Sequence, residues 1–347
     1  MRAARAAVEL SGRRQNILKH IVEEYVVTAQ PVGSEAVARR HRPPVSSATI
    51  RNEMAVLEGF GYIAQPHTSA GRVPTDSGYR YYVERLMPGL APSPGEERRI
   101  RHQFHQVESE VGQWAHLASS VLADTIHAAS VVTLPASPQA RVRHLELVAL
   151  QDHVVLIALI LISGSVRQHV EQLAEPIDRD ELTRVNNRLN HLLEGKTARQ
   201  VARLAERQPA PERLFCEIVA RMLEQADRQT FEQIYYEGLS HILSQPEFAQ
   251  SEKLRPVVEL LEQSQVLGAF LADAVEERGV RVIIGSEHRL EPLRATATVL
   301  TRYGRDEEVR GVLGIVGPTR LPYWRAVPMV RFMADLMDVL VERSYRA

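Results

Sequence analysis

A multidomain α+β fold is predicted for this chain by three observations. Helical periodicity dominates the first sixty residues, a strongly apolar strand hairpin lies at residues 142–162, and strand-like segments return after residue 280, beyond a helical stretch. The length, 347 residues, points to two or three domains. Apolar residues make up 44% and charged residues 24%, enough to bury an ordinary core and too balanced for wholesale disorder.

From Ser11 to Thr28 the residues Ile17, Leu18, Ile21, Val22 and Tyr25 recur at helical spacing, and Pro31 closes the segment. Ser34 is placed to cap a short second helix through Arg40, which the Pro43-Pro44 pair interrupts because proline moves its predecessor out of the α region. Ser46 or Ser47 then caps a third helix to about Glu58, with Ile50, Met54 and Leu57 on one face. Three short helices with a proline-marked break before the third are the layout of a helix-turn-helix. Tyr62–Gln65 and Arg72–Pro74 flank Pro66–Gly71 as a two-stranded hairpin, which makes the head a winged version of that motif. Thr75 or Asp76 caps a further helix carrying Tyr79, Tyr82, Val83 and Leu86.

Pro88–Gly95 is rich in proline and glycine and reads as a linker that lets the head adjust against the rest of the chain. Residues 96–127 carry a heptad-like stripe of Ile100, Phe104, Val107, Val111, Trp114, Ala118 and Val121, read as one amphipathic helix packed on a domain or as a connector between subunits. Val142–Leu150, Val154–Ile162 and Val166–Gln172 are three successive strands. Helical signal fills residues 176–229 and 253–278. Strands return at Val280–Ile284, Thr296–Tyr303 and Val309–Val316 before a last helix, Val327–Arg343. Strands, helices and strands again describe an α+β domain with a mainly helical insertion.

Charge is divided unevenly. The whole chain has a formal net charge of −1, yet residues 1–87 hold 12 Lys and Arg against 8 Asp and Glu. A positive head on a mildly acidic body suits an N-terminal reader of nucleic acid. A single cysteine, Cys216, excludes an intrachain disulfide and a cysteine-based zinc site, as expected of a cytoplasmic protein. The longest apolar run, Val154–Ile162, is far short of the ~20 residues of a membrane-spanning helix.

The third helix carries the chemistry. Opposite its apolar face stand Ala48, Arg51, Asn52 and Ala55, with Ser47 and Thr49 near its start. An arginine can donate two bonds to guanine, an asparagine can pair bidentately with adenine, and an alanine can touch a thymine methyl. Ser47, Ala48, Thr49, Arg51 and Asn52 are therefore the candidate base-reading residues. His67, Thr68, Ser69 and Arg72 are the candidate wing contacts, and Arg13, Arg14, Lys19, Arg39, Arg40, Arg42 and Ser46 the candidate phosphate contacts.

Enzymatic constellations are absent by the same reading. His102 and His105 fall between the apolar positions of their helix, with no placed third ligand. Gly311, Gly314 and Gly317 do not have the spacing of a phosphate loop. Ser286-Glu287-His288 are neighbours in the chain and cannot all converge on one substrate. Glu287 and Arg320 are candidates for a structural ion pair. No catalytic residue, cofactor or metal site is expected.

Several motifs resemble one known family. They are Pro31-Val-Gly-Ser34, Val45-Ser-Ser-Ala-Thr-Ile-Arg-Asn-Glu-Met54, Pro66-His-Thr-Ser-Ala-Gly-Arg-Val-Pro-Thr75 and Gly78-Tyr-Arg80, and later Glu237–Leu243 with Gln245-Pro-Glu-Phe248, Ile284-Gly-Ser-Glu287 and Gly314–Arg320. In this order they are similar to the HrcA heat-inducible transcription repressors, with small departures at Gly12 and Leu321. The resemblance implies a winged helix-turn-helix at residues 1–87 and a linker at 88–95. It implies a GAF-like domain at 96–175 and 251–347, with a dimerisation domain inserted at 176–250. It also implies a homodimer that binds double-stranded DNA at the CIRCE inverted repeat of chaperone operons and is kept active by the GroEL chaperonin. The alternative is a winged-helix repressor controlled by a small molecule bound in the GAF-like domain.

Overall fold

The computed structural model describes residues 9–40, 42, 44–67, 70–89, 91–107, 110–135, 140–162, 164–228, 234–248, 251–262, 267–268, 270–271, 279–305 and 309–346. The chain forms two compact units. The first joins Met1–Thr133, Ile234–Tyr303 and Val312–Ala347; the second is Leu134–Gln233 with Gly304–Gly311.

The head of the first unit begins with α1 (Gly12–Thr28), which ends where Ala29 turns left-handed and returns its N–H to Tyr25 O at 2.8 Å. Then come α2 (Ser34–Arg40) and α3 (Ser47–Gly59). Ser46 caps α3, its hydroxyl accepting from Thr49 N at 3.1 Å. Ile17, Leu18, Ile21 and Val22 of α1 and Ile50, Met54 and Leu57 of α3 are buried, as their spacing predicts. A short antiparallel hairpin, β1 (Ile63–Ala64) and β2 (Val73–Pro74), follows. Its base is tied to the connection before α2 by the antiparallel bridge between Val32 and Arg72. Gly71 permits that approach: a Cβ there would lie 2.5 Å from the carbonyl carbon of Val32. Thr75 then caps α4 (Asp76–Tyr81), which continues as a π-helical turn, Tyr82–Leu86.

The body of the same unit is a five-stranded sheet in the order β7 (Ile234–Glu237), β3 (Ala129–Thr133), β10 (Val309–Pro318), β9 (Thr296–Arg305), β8 (Arg281–Ile284). Strands β3 and β7 have no counterpart in the sequence reading. The expected single helix at 96–127 is two, α5 (Pro94–Gln106) and α6 (Val111–Ile126), because Val107 takes an extended conformation and ends the first. The apolar stripe nevertheless faces inward on both, with Ile100, Phe104, Trp114 and Ala118 buried. Helix α6 is stitched to β3 by Ser130, whose hydroxyl bonds Ser119 Oγ and donates to Ser119 O, each at 2.7 Å. Gly314 is a packing glycine, since a Cβ would meet Val299 O at 2.1 Å. The chain closes with α10 (Leu239–Leu243), α11 (Ser251–Glu262) and α12 (Tyr323–Arg346).

The second unit is a three-stranded antiparallel sheet, β4 (Val142–Gln151), β5 (Val154–Leu161) and β6 (Val166–Gln172), with α7 (Arg179–Leu193), α8 (Ala198–Ala205) and α9 (Ala210–Arg228). Leu145, Leu147, Val155, Ile157 and Leu159 form its inner face against Val185 and Leu189 of α7 and Phe215 and Val219 of α9. Helix α7 also covers the open edge of β4. Asn190 accepts from Leu145 N and donates to Leu145 O, while Asn186 accepts from Leu147 N.

This corrects the expected layout. Residues 142–172 are expected with the flanking domain, but their apolar face is filled by α7–α9, so sheet and helices share one core, and the second unit runs from Leu134 instead of from 176. The outer face of the sheet exposes apolar side chains among polar ones: Val148, Val166 and Val170 are 41%, 55% and 55% exposed, beside half-buried Leu156 and Ile160, with His144, Glu146 and Gln168 on the same face. Cys216 is buried in the same core, its thiol pushed up to about 11 by that burial, which makes it unreactive.

Candidate nucleic-acid interface

Helix α3 has two contrasting sides. With Ile50, Met54 and Leu57 turned inward, Ala48, Arg51, Asn52 and Ala55 are left exposed. The side chains of Arg51 and Asn52 make no hydrogen bond or ion pair with another described residue. Ser47 and Thr49 are half-buried at the helix start, and Thr49 Oγ1 lies 2.9 Å from Ser46 Oγ. An exposed guanidinium and an exposed carboxamide on adjacent positions can meet two neighbouring bases in a major groove.

The other candidate cations divide. Arg14 bonds Glu53 of α3 at 2.8 Å, and Arg13 stands 3.8 Å from the same carboxylate, so this pair fastens α1 to the back of α3. Arg40 pairs with Glu24 at 2.7 Å and Lys19 lies 3.9 Å from Glu23. Arg42 donates to Arg39 O, while the guanidinium of Arg39 is exposed and makes no ion pair with a described residue. In the hairpin, His67 is exposed, and Thr68 and Ser69 lie outside the described residues. Arg72 has its fork on Glu58, with Nε and Nη2 at 3.0 and 2.9 Å, and is a strut between hairpin and α3.

A second set of polar contacts, not foreseen from sequence, joins the head to the body. Arg80 of α4 grips both carboxylate oxygens of Glu287, through Nε at 2.8 Å and through Nη2, and also donates to Val282 O at 2.7 Å. Asp76 accepts from the backbone N and the hydroxyl of Ser286 at 2.9 and 2.8 Å. Arg320 donates to Val26 O at 3.2 Å and to the side chains of Gln245 and Glu247. The candidate pair of Glu287 with Arg320 is therefore not formed; each side chain has a different partner. Nor is Pro88–Gly95 a boundary between compact units, because these contacts hold the head on the body. The only signal for them was indirect, in that all fall within or beside the motifs carrying the family resemblance.

Among the described residues no group of His, Cys, Asp or Glu could hold a metal ion, and no helix is long and apolar enough to cross a membrane.

Comparison with known proteins gives a consistent answer. Residues 113–327 match the family model described as the HrcA protein C terminal domain. The heat-inducible transcription repressor HrcA of Roseiflexus castenholzii is 42% identical over 345 residues, covering 97% of this chain and 96% of that protein. The repressor of the same name from Herpetosiphon aurantiacus is 41% identical, covering 97% of each. A solved structure of a hypothetical protein shares the fold, with a TM-score of 0.59 at 24% identity over 96% of this chain and 98% of that one. The relatives span the head as well as the body, and both are named transcription repressors. The chain belongs to the HrcA family of heat-inducible transcription repressors.

Proposed function

We propose that this repressor acts as a homodimer, reads the CIRCE inverted repeat of chaperone operons through a winged helix-turn-helix at residues 1–87, and is held in its DNA-competent form by GroEL. The observation that carries the reading is the open face of α3, where Arg51 and Asn52 stand exposed, with no side-chain partner among the described residues, over a buried Ile50/Met54/Leu57 face. Arg39, likewise uncommitted, serves as a phosphate contact that adds affinity without sequence preference. In this assignment the five-stranded sheet with α5, α6 and α10–α12 is the GAF-like domain, and residues 134–233 are the inserted dimerisation domain. Two-fold operators are read by two-fold proteins. The apolar side chains exposed on the outer face of β4–β6 support dimerisation there, upstream of the 176–250 range that the family resemblance implies. GroEL acts by binding the competent conformation more tightly, since a partner shifts an equilibrium only through differential affinity.

The test is a salt-series titration of the full chain on the inverted repeat and on a scrambled duplex, with and without GroEL. Preference for the repeat, enhanced by GroEL, is expected. Equal, salt-sensitive binding to both duplexes would overturn the reading and bring forward control by a small molecule.

A further inference from the structure

Among the described residues, polar side chains attach the head to the body at two separate places, and neither attachment uses a residue of the α3 face proposed to read DNA. One lies at the end of α1, where Arg320 reaches the Val26 carbonyl from a body that also supplies Gln245 and Glu247. The other lies at α4, where Arg80 and Asp76 hold Glu287, Ser286 and the Val282 carbonyl. Rings fill the space along α4 and the turn after it: Tyr79 lies 5.8 Å from Tyr323, and Tyr82 lies 6.3 Å edge-on to Trp324, measured between ring centroids.

The fit at α4 is close. Gly285 has φ +51, and a Cβ there would fall 2.4 Å from the Asp76 carboxylate, so the body backbone is pressed against the head. Bidentate arginine–carboxylate contacts fix direction as well as distance. A head pinned at both the end of α1 and the start of α4 cannot swing about either one. The direction in which α3 points is then a property of the body.

For a single head on a single half-site this rigidity changes little. For two heads on an inverted repeat it decides which half-site separation both recognition helices can meet at once. We infer that Asp76, Arg80, Ser286, Glu287 and Arg320 are positioning residues that set the half-site spacing the repressor accepts. This rests on the dimeric DNA-reading function proposed above. These side chains touch no base; they act through the orientation of α3.

The experiment compares the full-length protein with Glu287→Gln and Asp76→Asn combined, and with the milder Ser286→Ala. Each is titrated on the inverted repeat, on repeats with the half-sites moved by about two base pairs, roughly a fifth of a turn, and on one isolated half-site. The wild type is expected to lose about tenfold or more on the shifted repeats, a penalty on the scale of a mismatched base pair. The double variant should lose only about two- to threefold on shifting, bind the native repeat more weakly, and bind the isolated half-site like wild type. Ser286→Ala should fall between them. Unchanged half-site binding separates lost positioning from a misfolded head, and should the double variant fail to fold, Ser286→Ala decides. Variants that keep the full wild-type spacing penalty would overturn the positioning role alone. A wild type that binds the repeat no better than the half-site would instead overturn the dimeric reading.

Discussion

The cations of the head fall into two sets, and the contrast separates folding from function. Arg14, Arg72 and Arg80 each have a carboxylate oxygen within about 3 Å, on Glu53, Glu58 and Glu287. Arg51 and Arg39 are exposed and have no such partner among the described residues. A guanidinium already gripped by a carboxylate is neutralised and geometrically committed, so recruiting it to DNA would break a contact the fold uses. An uncommitted one keeps its charge and its fork for a ligand. Arg14, Arg72 and Arg80 lie on the seams between α1, α3, the hairpin and the body; Arg51 and Arg39 lie on α3 and at the end of α2.

The most damaging way to break this contrast is from beneath. Leu57 is fully buried on the inner face of α3, and Leu57→Ala should destabilise the head by about 2–5 kcal/mol. In a denaturation series, a loss below ~1 kcal/mol would mean that α3 is not packed as described.

The body side of the attachment has its own test. His288 is buried next to Glu287, and burial pushes its pKa down from 6.5 to about 4. The folded protein therefore resists protonation that the unfolded chain accepts. Stability is at its full value above pH 6.5 and falls as the pH drops from 6.5 towards 4. The loss should be about 2 kcal/mol by pH 5, and melting curves of His288→Leu should be flatter over that window. Equal pH dependence in the variant would show that His288 is not the group responsible.

On the reading face the expectation inverts. Arg51→Ala and Asn52→Ala should each remove about 1–3 kcal/mol of discrimination between the repeat and a scrambled duplex, with melting temperature unchanged, because neither side chain has a partner among the described residues. Arg72→Ala should do the reverse, lowering stability through the lost Glu58 strut more than it lowers discrimination.

How much of this was legible in the sequence follows from the range of each interaction. The inner and outer faces of α3 and its serine cap are set by residues three to seven apart, and periodicity exposes them. The partners of the cations are not local: Glu53 is two residues from Arg51 yet bonds Arg14, 39 positions away, and Asp76 meets Ser286 across 210. The candidate pairing of Glu287 with Arg320 is not formed for this reason, since complementary charge does not say which side chains face each other. Strand β3 was missed because its five residues are buried without alternation and pair only with Leu313–Val316 and Ile234–Glu237. The boundary of the second unit was misplaced because a strand's pattern shows that one face is buried, but not which helices bury it.

The smallest predicted effect is also the finest test of the contrast, because it compares neighbours on one helix. Arg39 and Arg40 are adjacent at the end of α2; Arg40 is paired with Glu24 at 2.7 Å and Arg39 has no ion pair with a described residue. Sequence alone treats them as equivalent phosphate contacts. If an ion pair withdraws a cation from DNA, Arg39→Ala should weaken binding to every duplex alike and reduce the slope of log affinity against log salt by about 1. Arg40→Ala should change that slope less, because a guanidinium held by Glu24 takes no phosphate, and its removal leaves the number of counterions released on binding unchanged. Equal slopes for the two variants would mean that surface pairing at α2 is too weak in solution to distinguish a structural cation from a binding one.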